Sequence, residues 1–148
     1  MKTRTIIESL EYDELVNLFS TATYGSQWLT IKKKKSDYYG TELEDEDDCR
    51  EDVWAKILLS GKPVFAYDYF AEDEEDFYGS LPHVFKNGGM RYTLTLDDIK
   101  NGLQKCLDEK DGYLKRCVLD LATEASSFDL EEAEALMQFI LFGEIIYG

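Results

Sequence analysis

Histidine is almost absent from this chain, cations are outnumbered by acids, and no apolar run reaches the length of a membrane span. Each shortage excludes a class of function. The single histidine, His83, would have to serve any Ser/His/Asp or Cys/His mechanism, and no GxSxG turn accompanies it. It reads as a loop or surface residue beside Pro82. The 3 cysteines, Cys49, Cys106 and Cys117, are odd in number and lack CxxC spacing, which fits reduced thiols better than a disulfide framework or a zinc site. Cys106 and Cys117 fall on the apolar faces of expected helices, and Cys49 sits among carboxylates, a poor setting for a nucleophilic thiolate. The opening MKTRTIIESLEYDEL has neither the apolar stretch nor the cleavage site of a signal peptide, so a cytoplasmic location without membrane contact is expected. With 2 prolines, no Pro- or Ser-rich linker and no repeat, 1–148 is expected to form a single domain.

What the chain has is negative charge. Asp and Glu number 31 against 16 Lys and Arg, a formal net charge of -15. A surface that neutralises phosphates needs clustered cations, and the one basic run, Lys32 to Lys35, sits in a field that repels a duplex. Direct nucleic-acid binding is therefore not expected. That run is better placed to keep an edge strand from pairing. Hydrophobic residues at 44% and aromatics at 14% exceed what a disordered acidic tail carries, so the charge decorates a globule.

The acids are concentrated in ELEDEDDCRED, Glu42 to Asp52, and EDEED, Glu72 to Asp76. As a Ca²⁺ loop the first fails, because it has no Gly at the sharp turn and no closing bidentate Glu. A solvated charge run is the plainer reading, and no metal ligands are assigned. The sharper reading is a nucleic-acid mimic, whose carboxylates stand in for phosphates spaced one per about 1.7 Å of duplex. Extended, the 8 carboxylates of Glu42 to Asp52 would spread over about 35 Å. Helical, they would span about 16 Å, so mimicry needs compact geometry or help from EDEED. Asn87-Gly88-Gly89 lacks the strand, loop and helix order of a phosphate cradle and reads as a hairpin turn, so no cofactor is assigned. No pair of acids can be singled out as catalytic.

Periodicity gives an α+β fold: a short sheet of about three strands packed by four to five helices. Helices are expected over Tyr12 to Thr23, with Ser9 or Glu11 at its start, Glu51 to Ser60, a segment entered by the capping box Thr95 to Asp98, Asp111 to Ala125, and a last helix from Asp129. In the last, Glu132 is expected to close the capping box. Strands are expected at Gln27 to Lys33, Pro63 to Phe70 and Met90 to Leu94, with Phe77 to Gly89 as irregular loop. In the second strand Val64, Ala66 and Asp68 share one face and Phe65, Tyr67 and Tyr69 the other. Phe139 and Phe142 fall off the main stripe of the last helix, so that helix must be enclosed by the domain or by a partner. Gly143 to Tyr147 is expected to cap it and dock as a short strand or tail.

Three blocks, ATYGSQWLTI at 22–31, TLTLDDIKNGL at 93–103 and EALMQFILFGEIIYG at 134–148, resemble a loose family of small acidic proteins encoded by bacteriophages and mobile elements. The resemblance is carried by Ala22 and Gly25 before Trp28, by Leu94 to Asp97, and by Phe142 to Gly148. It implies no activity or site, but acidic phage proteins often inhibit host defence or DNA-processing machinery. The expected function is a non-enzymatic acidic binding or inhibitory module, in its sharpest form a DNA mimic, that engages a basic protein surface through Glu44, Asp45, Glu46, Asp47, Asp48, Glu51, Asp52, Glu72, Asp73, Glu74, Glu75 and Asp76. The alternative is a structural accessory protein that self-associates as a homo-oligomer through Phe139 and Phe142.

Overall fold

Alternation and helical spacing become a sheet covered on one face by helices. The computed structural model describes residues 7, 10–110 and 112–148. In chain order the elements are α1 (Tyr12–Thr23), β1 (Leu29–Lys32), a 3-10 turn (Lys35–Asp37), α2 (Arg50–Leu59), β2 (Val64–Asp68), β3 (His83–Lys86), β4 (Gly89–Leu94), α3 (Leu96–Asp108), α4 (Gly112–Ala122) and α5 (Leu130–Phe142). Of the two residues expected at the start of α1, Glu11 occupies the cap position without a side-chain bond, and Ser9 lies outside the described residues, as does Asp111 before α4.

The sheet is antiparallel throughout, in the order β1-β2-β4-β3, so β1 with its lysines is an edge as expected. Register aligns Leu29 with Asp68, Ile31 with Ala66, Ala66 with Tyr92 and Val64 with Leu94, which places all of them on one buried face. The opposite face carries the aromatic side chains of β2 under cations: Lys32 lies 4.9 Å from the Tyr67 ring centre and Arg91 4.6 Å from that of Phe65.

A fourth strand, β3, lies within Phe77 to Gly89, the stretch expected as irregular loop, and joins the sheet of about three strands. His83–Lys86 is exposed except at Phe85 and follows Gly79 and Pro82, so its sequence has the marks of a loop; it is a strand because the hairpin folds it onto β4. Asn87 and Gly88 both have positive φ, 53° and 79°, the two-residue turn whose twist suits a hairpin.

Helix α3 begins at the expected box: Asp98 N–H donates to Thr95 Oγ1 at 3.2 Å and the Asp98 carboxylate accepts the Thr95 N–H at 2.9 Å. It crosses α5 where Gly102 leaves no side chain; a Cβ there would lie 2.5 Å from the Ile140 Cα. Asp129 caps α5 by accepting the Glu132 N–H at 3.0 Å. Glu132 does not close that box. Its side chain is buried at 6% exposure against α4, with Oε2 unpartnered among the described residues.

Phe139 and Phe142 are 7% and 3% exposed, so the domain itself encloses them and neither offers a surface for self-association. Phe142 packs against Trp28, Tyr78, Tyr92 and Tyr147. Gly143 ends the helix with φ 76°, and the tail docks without becoming a strand. Gln138 grips its backbone: Gln138 Oε1 accepts the N–H groups of Ile146 and Tyr147, each at 2.7 Å, and its Nε2 donates to the Tyr147 carbonyl at 3.1 Å.

Candidate functional site

The first acidic run is neither strand nor helix until Arg50; from Thr41 to Asp48 it is a succession of turns pinned by its own side chains. Tyr38, buried, organises it. Its hydroxyl accepts the Asp45 N–H at 2.9 Å and donates to the Asp48 carboxylate, which Lys56 of α2 meets at 2.7 Å. Burial would raise the Asp48 carboxyl, but the hydrogen bonds from Lys56 and Tyr38 outweigh it and hold it below the usual carboxylate range. Glu44 accepts the Gly40 N–H at 2.8 Å, Asp45 that of Asp47 at 3.1 Å, and Asp52 that of Cys49 at 3.2 Å. Asp48, Glu51 and Asp52 are thus half-buried, while Glu42, Glu44, Asp45, Glu46 and Asp47 are exposed.

The second run makes a turn of its own. Asp73 accepts the Glu75 N–H at 2.9 Å and Asp76 that of Glu72 at 2.8 Å, leaving Glu72 to Glu75 exposed and Asp76 half-buried. The two runs leave the sheet at opposite ends of the β1–β2 ladder, since Lys32 pairs with Phe65 and Asp68 with Leu29. Among the described residues no hydrogen bond or ion pair joins them. Exposed aromatics flank the second run on both sides, Tyr69 and Phe70 before it and Tyr78 and Phe77 after. Charge counting overlooks this bracket, although the signal stands in the sequence as YFAEDEEDFY.

Beside Phe70 opens a cleft of about 510 Å³ between the turn before β1, the outer side of α5 and the docked tail. This volume is within the ordinary range of ligand sites, about 300–1,000 Å³. Trp28 stands in its wall, its ring centre 5.3 Å from that of Tyr147, and Phe70 meets Tyr147 edge-on at 5.1 Å. Glu134 is fixed here: its Oε2 accepts the Trp28 indole N–H at 2.6 Å and the Ser26 hydroxyl at 3.2 Å. Glu131, one turn earlier on α5, also lines the cleft, and among the described residues no Lys or Arg does.

Beneath the cleft lies Asp68, fully buried at the end of β2. Tyr147 donates its hydroxyl to Asp68 Oδ2 at 2.6 Å, and the Phe70 N–H donates to Oδ1 at 2.9 Å. Burial raises the Asp68 carboxyl above its ordinary value, and these two bonds only partly offset it. Burial likewise raises the Tyr147 hydroxyl, with the Asp68 charge adding to it. Elsewhere, burial pushes the Glu132 carboxyl up, and neighbouring Asp120 pushes it further. Burial also pushes the Cys106 and Cys117 thiols up to about 12. His83 is exposed on β3, stacked 4.0 Å from the Phe77 ring, its Nδ1–H directed at the Leu81 carbonyl at 2.8 Å.

Among the described residues no group of three or more His, Cys, Asp or Glu is placed to hold a metal ion, and no helix is long and apolar enough to cross a membrane. The arrangement is one of fixed carboxylates beside aromatic rings, chemistry suited to holding cations. No family model, no curated protein and no solved structure matches this chain.

Proposed function

We propose that this chain is a non-enzymatic binding module of the phage or mobile-element type, which inhibits or recruits a partner by engaging its basic surface through the two acidic runs. The observation that carries this reading is the ordering of those runs. Hydrogen bonds from Tyr38, Gly40, Lys56 and the backbone N–H groups of Asp47, Glu72 and Glu75 hold the loops in turns, with Glu42, Glu44 to Asp47 and Glu72 to Glu75 outward. Carboxylates presented on a pre-formed loop cost less ordering entropy on binding than those of a flexible tail. Turns are more compact than an extended strand, the direction that charge spacing requires of a nucleic-acid mimic, and this supports a nucleic-acid channel as the partner surface.

The test is retention of basic host proteins on the immobilised chain at low and high salt, with DNA as competitor. The specific partner is expected to elute with salt and be displaced by DNA. Replacing Glu72 and Glu74 to Gln, Asp73 to Asn and Glu75 to Gln together should weaken it by roughly 2 kcal/mol, about thirty-fold, at about 0.5 kcal/mol per exposed pair. A host extract in which nothing basic is retained in a salt-dependent way would remove the proposal.

A further inference from the structure

The cleft beside Phe70 is not used by the acidic runs, and its chemistry is narrower than theirs. Its charged lining residues are Glu131 and Glu134, three apart on α5 and therefore neighbours on one helical face. Glu134 is held by the Trp28 indole and Ser26 through Oε2 alone; no hydrogen bond engages Oε1 among the described residues. The Gln138 amide in the wall is engaged by the tail: its oxygen accepts the N–H groups of Ile146 and Tyr147, and its nitrogen donates to the Tyr147 carbonyl. It fixes the wall without competing for a ligand. Phe70, at 47% exposure, leaves aromatic surface open at the rim.

A fixed carboxylate and its neighbour next to an open aromatic ring, with no Lys or Arg among the described residues that line the cleft, suit a planar cation that stacks and forks at once. A guanidinium does both, whereas an ammonium is a compact and strongly hydrated point charge. The net charge of -15 adds a field that draws such a group in. The volume exceeds that of the guanidinium alone and leaves room for an apolar stem.

We infer that the cleft formed by Trp28, Phe70, Tyr147, Glu131 and Glu134 is a binding site for a guanidinium on an aliphatic stem, the arginine side chain of a partner protein. This deepens the proposed function and rests on it for the partner, because the same basic surface that meets Glu72 to Glu75 would present the arginine across Phe70. The cleft supplies specificity for arginine over lysine, which the exposed carboxylates by themselves do not.

Nuclear magnetic resonance separates the two ideas. The indole N–H of Trp28 lies on the Glu134 carboxylate, and that of Trp54, buried under α1, serves as an internal reference. The probes are a blocked Gly-Gly-Arg-Gly-Gly peptide, its lysine and citrulline versions, and free arginine amide. The arginine peptide is expected to shift the Trp28 indole signal saturably and to leave that of Trp54 in place. Lysine should bind at least about five-fold more weakly, and citrulline, which keeps the shape without the charge, should give no saturable shift. Arginine amide binding as tightly as the peptide would assign the site to a free small cation and overturn the protein-borne form.

Glu134→Gln should abolish the arginine response. Glu131→Gln, which leaves the Trp28 hydrogen bond intact, should weaken it at least about three-fold, so the inference does not depend on a variant that disturbs the wall. The variant neutralised at Glu72 to Glu75 should keep the single-arginine response while losing the partner protein. Equal responses to arginine and citrulline, or no response in a chain that still retains a basic partner, would overturn the cleft and leave the acidic-run proposal standing. A parent chain that gives the arginine response but retains no basic partner would do the reverse.

Discussion

Replacing Tyr147 by Phe removes one oxygen and keeps every ring contact, with Trp28, Phe70 and Phe142, that the tyrosine makes. The oxygen matters because its proton is donated at 2.6 Å to a fully buried carboxylate, Asp68, whose remaining oxygen is served by the Phe70 backbone. A hydrogen bond to a charged group contributes about 1.5–3 kcal/mol, so roughly 2 kcal/mol of stability should be lost near neutral pH. For a domain of this size that lowers Tm by about 4–8 °C. The pH dependence has a definite sign. Burial raises the folded-state value of Asp68, so the native chain takes up its proton more readily than the unfolded one. Stability is therefore lost as pH rises from the free carboxyl value of about 3.9 through the folded value. The Tyr147 donor favours the charged form; without it the folded value rises further, and the penalty of Tyr147→Phe should grow as pH rises through the folded value. Thermal melts followed by circular dichroism measure this, with Tyr24→Phe at an exposed position as control. Repeating Tyr147→Phe in an Asp68→Asn background isolates the pair, and there the cost should be smaller and independent of pH. A Tm within about 1 °C of the parent, or an equal loss in both backgrounds, would refute the reasoning.

Two further outcomes are expected. Gly102→Ala should destabilise despite a gain of about 1 kcal/mol in helix propensity, because its Cβ would meet the Ile140 backbone at 2.5 Å and overpacking costs about 1–3 kcal/mol; a raised Tm in the same melts would contradict the contact. A bulky thiol reagent should modify Cys49 alone in the folded chain and all 3 cysteines in denaturant, since Cys106 and Cys117 are buried; rapid native labelling of more than one thiol would count against the packing of α3 and α4.

The sequence was most legible where a local rule sufficed. Helix α1 has the bounds that its apolar spacing and Gly25 dictate, Thr95 and Asp98 form their box, and the register of β2 sets Val64, Ala66 and Asp68 on one face, although Tyr67 on the other is buried too. Strand β3 escaped because a short exposed edge strand has no alternation to show, and only its pairing with β4 defines it. Glu132 was misread because a capping pattern fixes the spacing of residues and not the rotamer; tertiary packing against α4 took the side chain inward. Phe139 and Phe142 lie off the main stripe of α5, yet Trp28, Tyr78, Tyr92 and Tyr147 close over Phe142 from four separate stretches of chain. The cleft was unreadable for the same reason. Trp28, Phe70, Glu134 and Tyr147 are remote in sequence, and no spacing rule joins them.

Several cations of this protein are engaged with rings. Lys32, Lys33, Arg50, Arg91 and Arg116 each lie over an aromatic side chain, and among the described residues a single ion pair, Lys56 with Asp48, unites opposite charges. Most of the carboxylates must therefore find their counter-ions in solution. Dilution of the electrolyte would sharpen mutual repulsion across the whole folded envelope, and added salt would firm the molecule up, the opposite of what is seen where surface ion pairs hold a fold together.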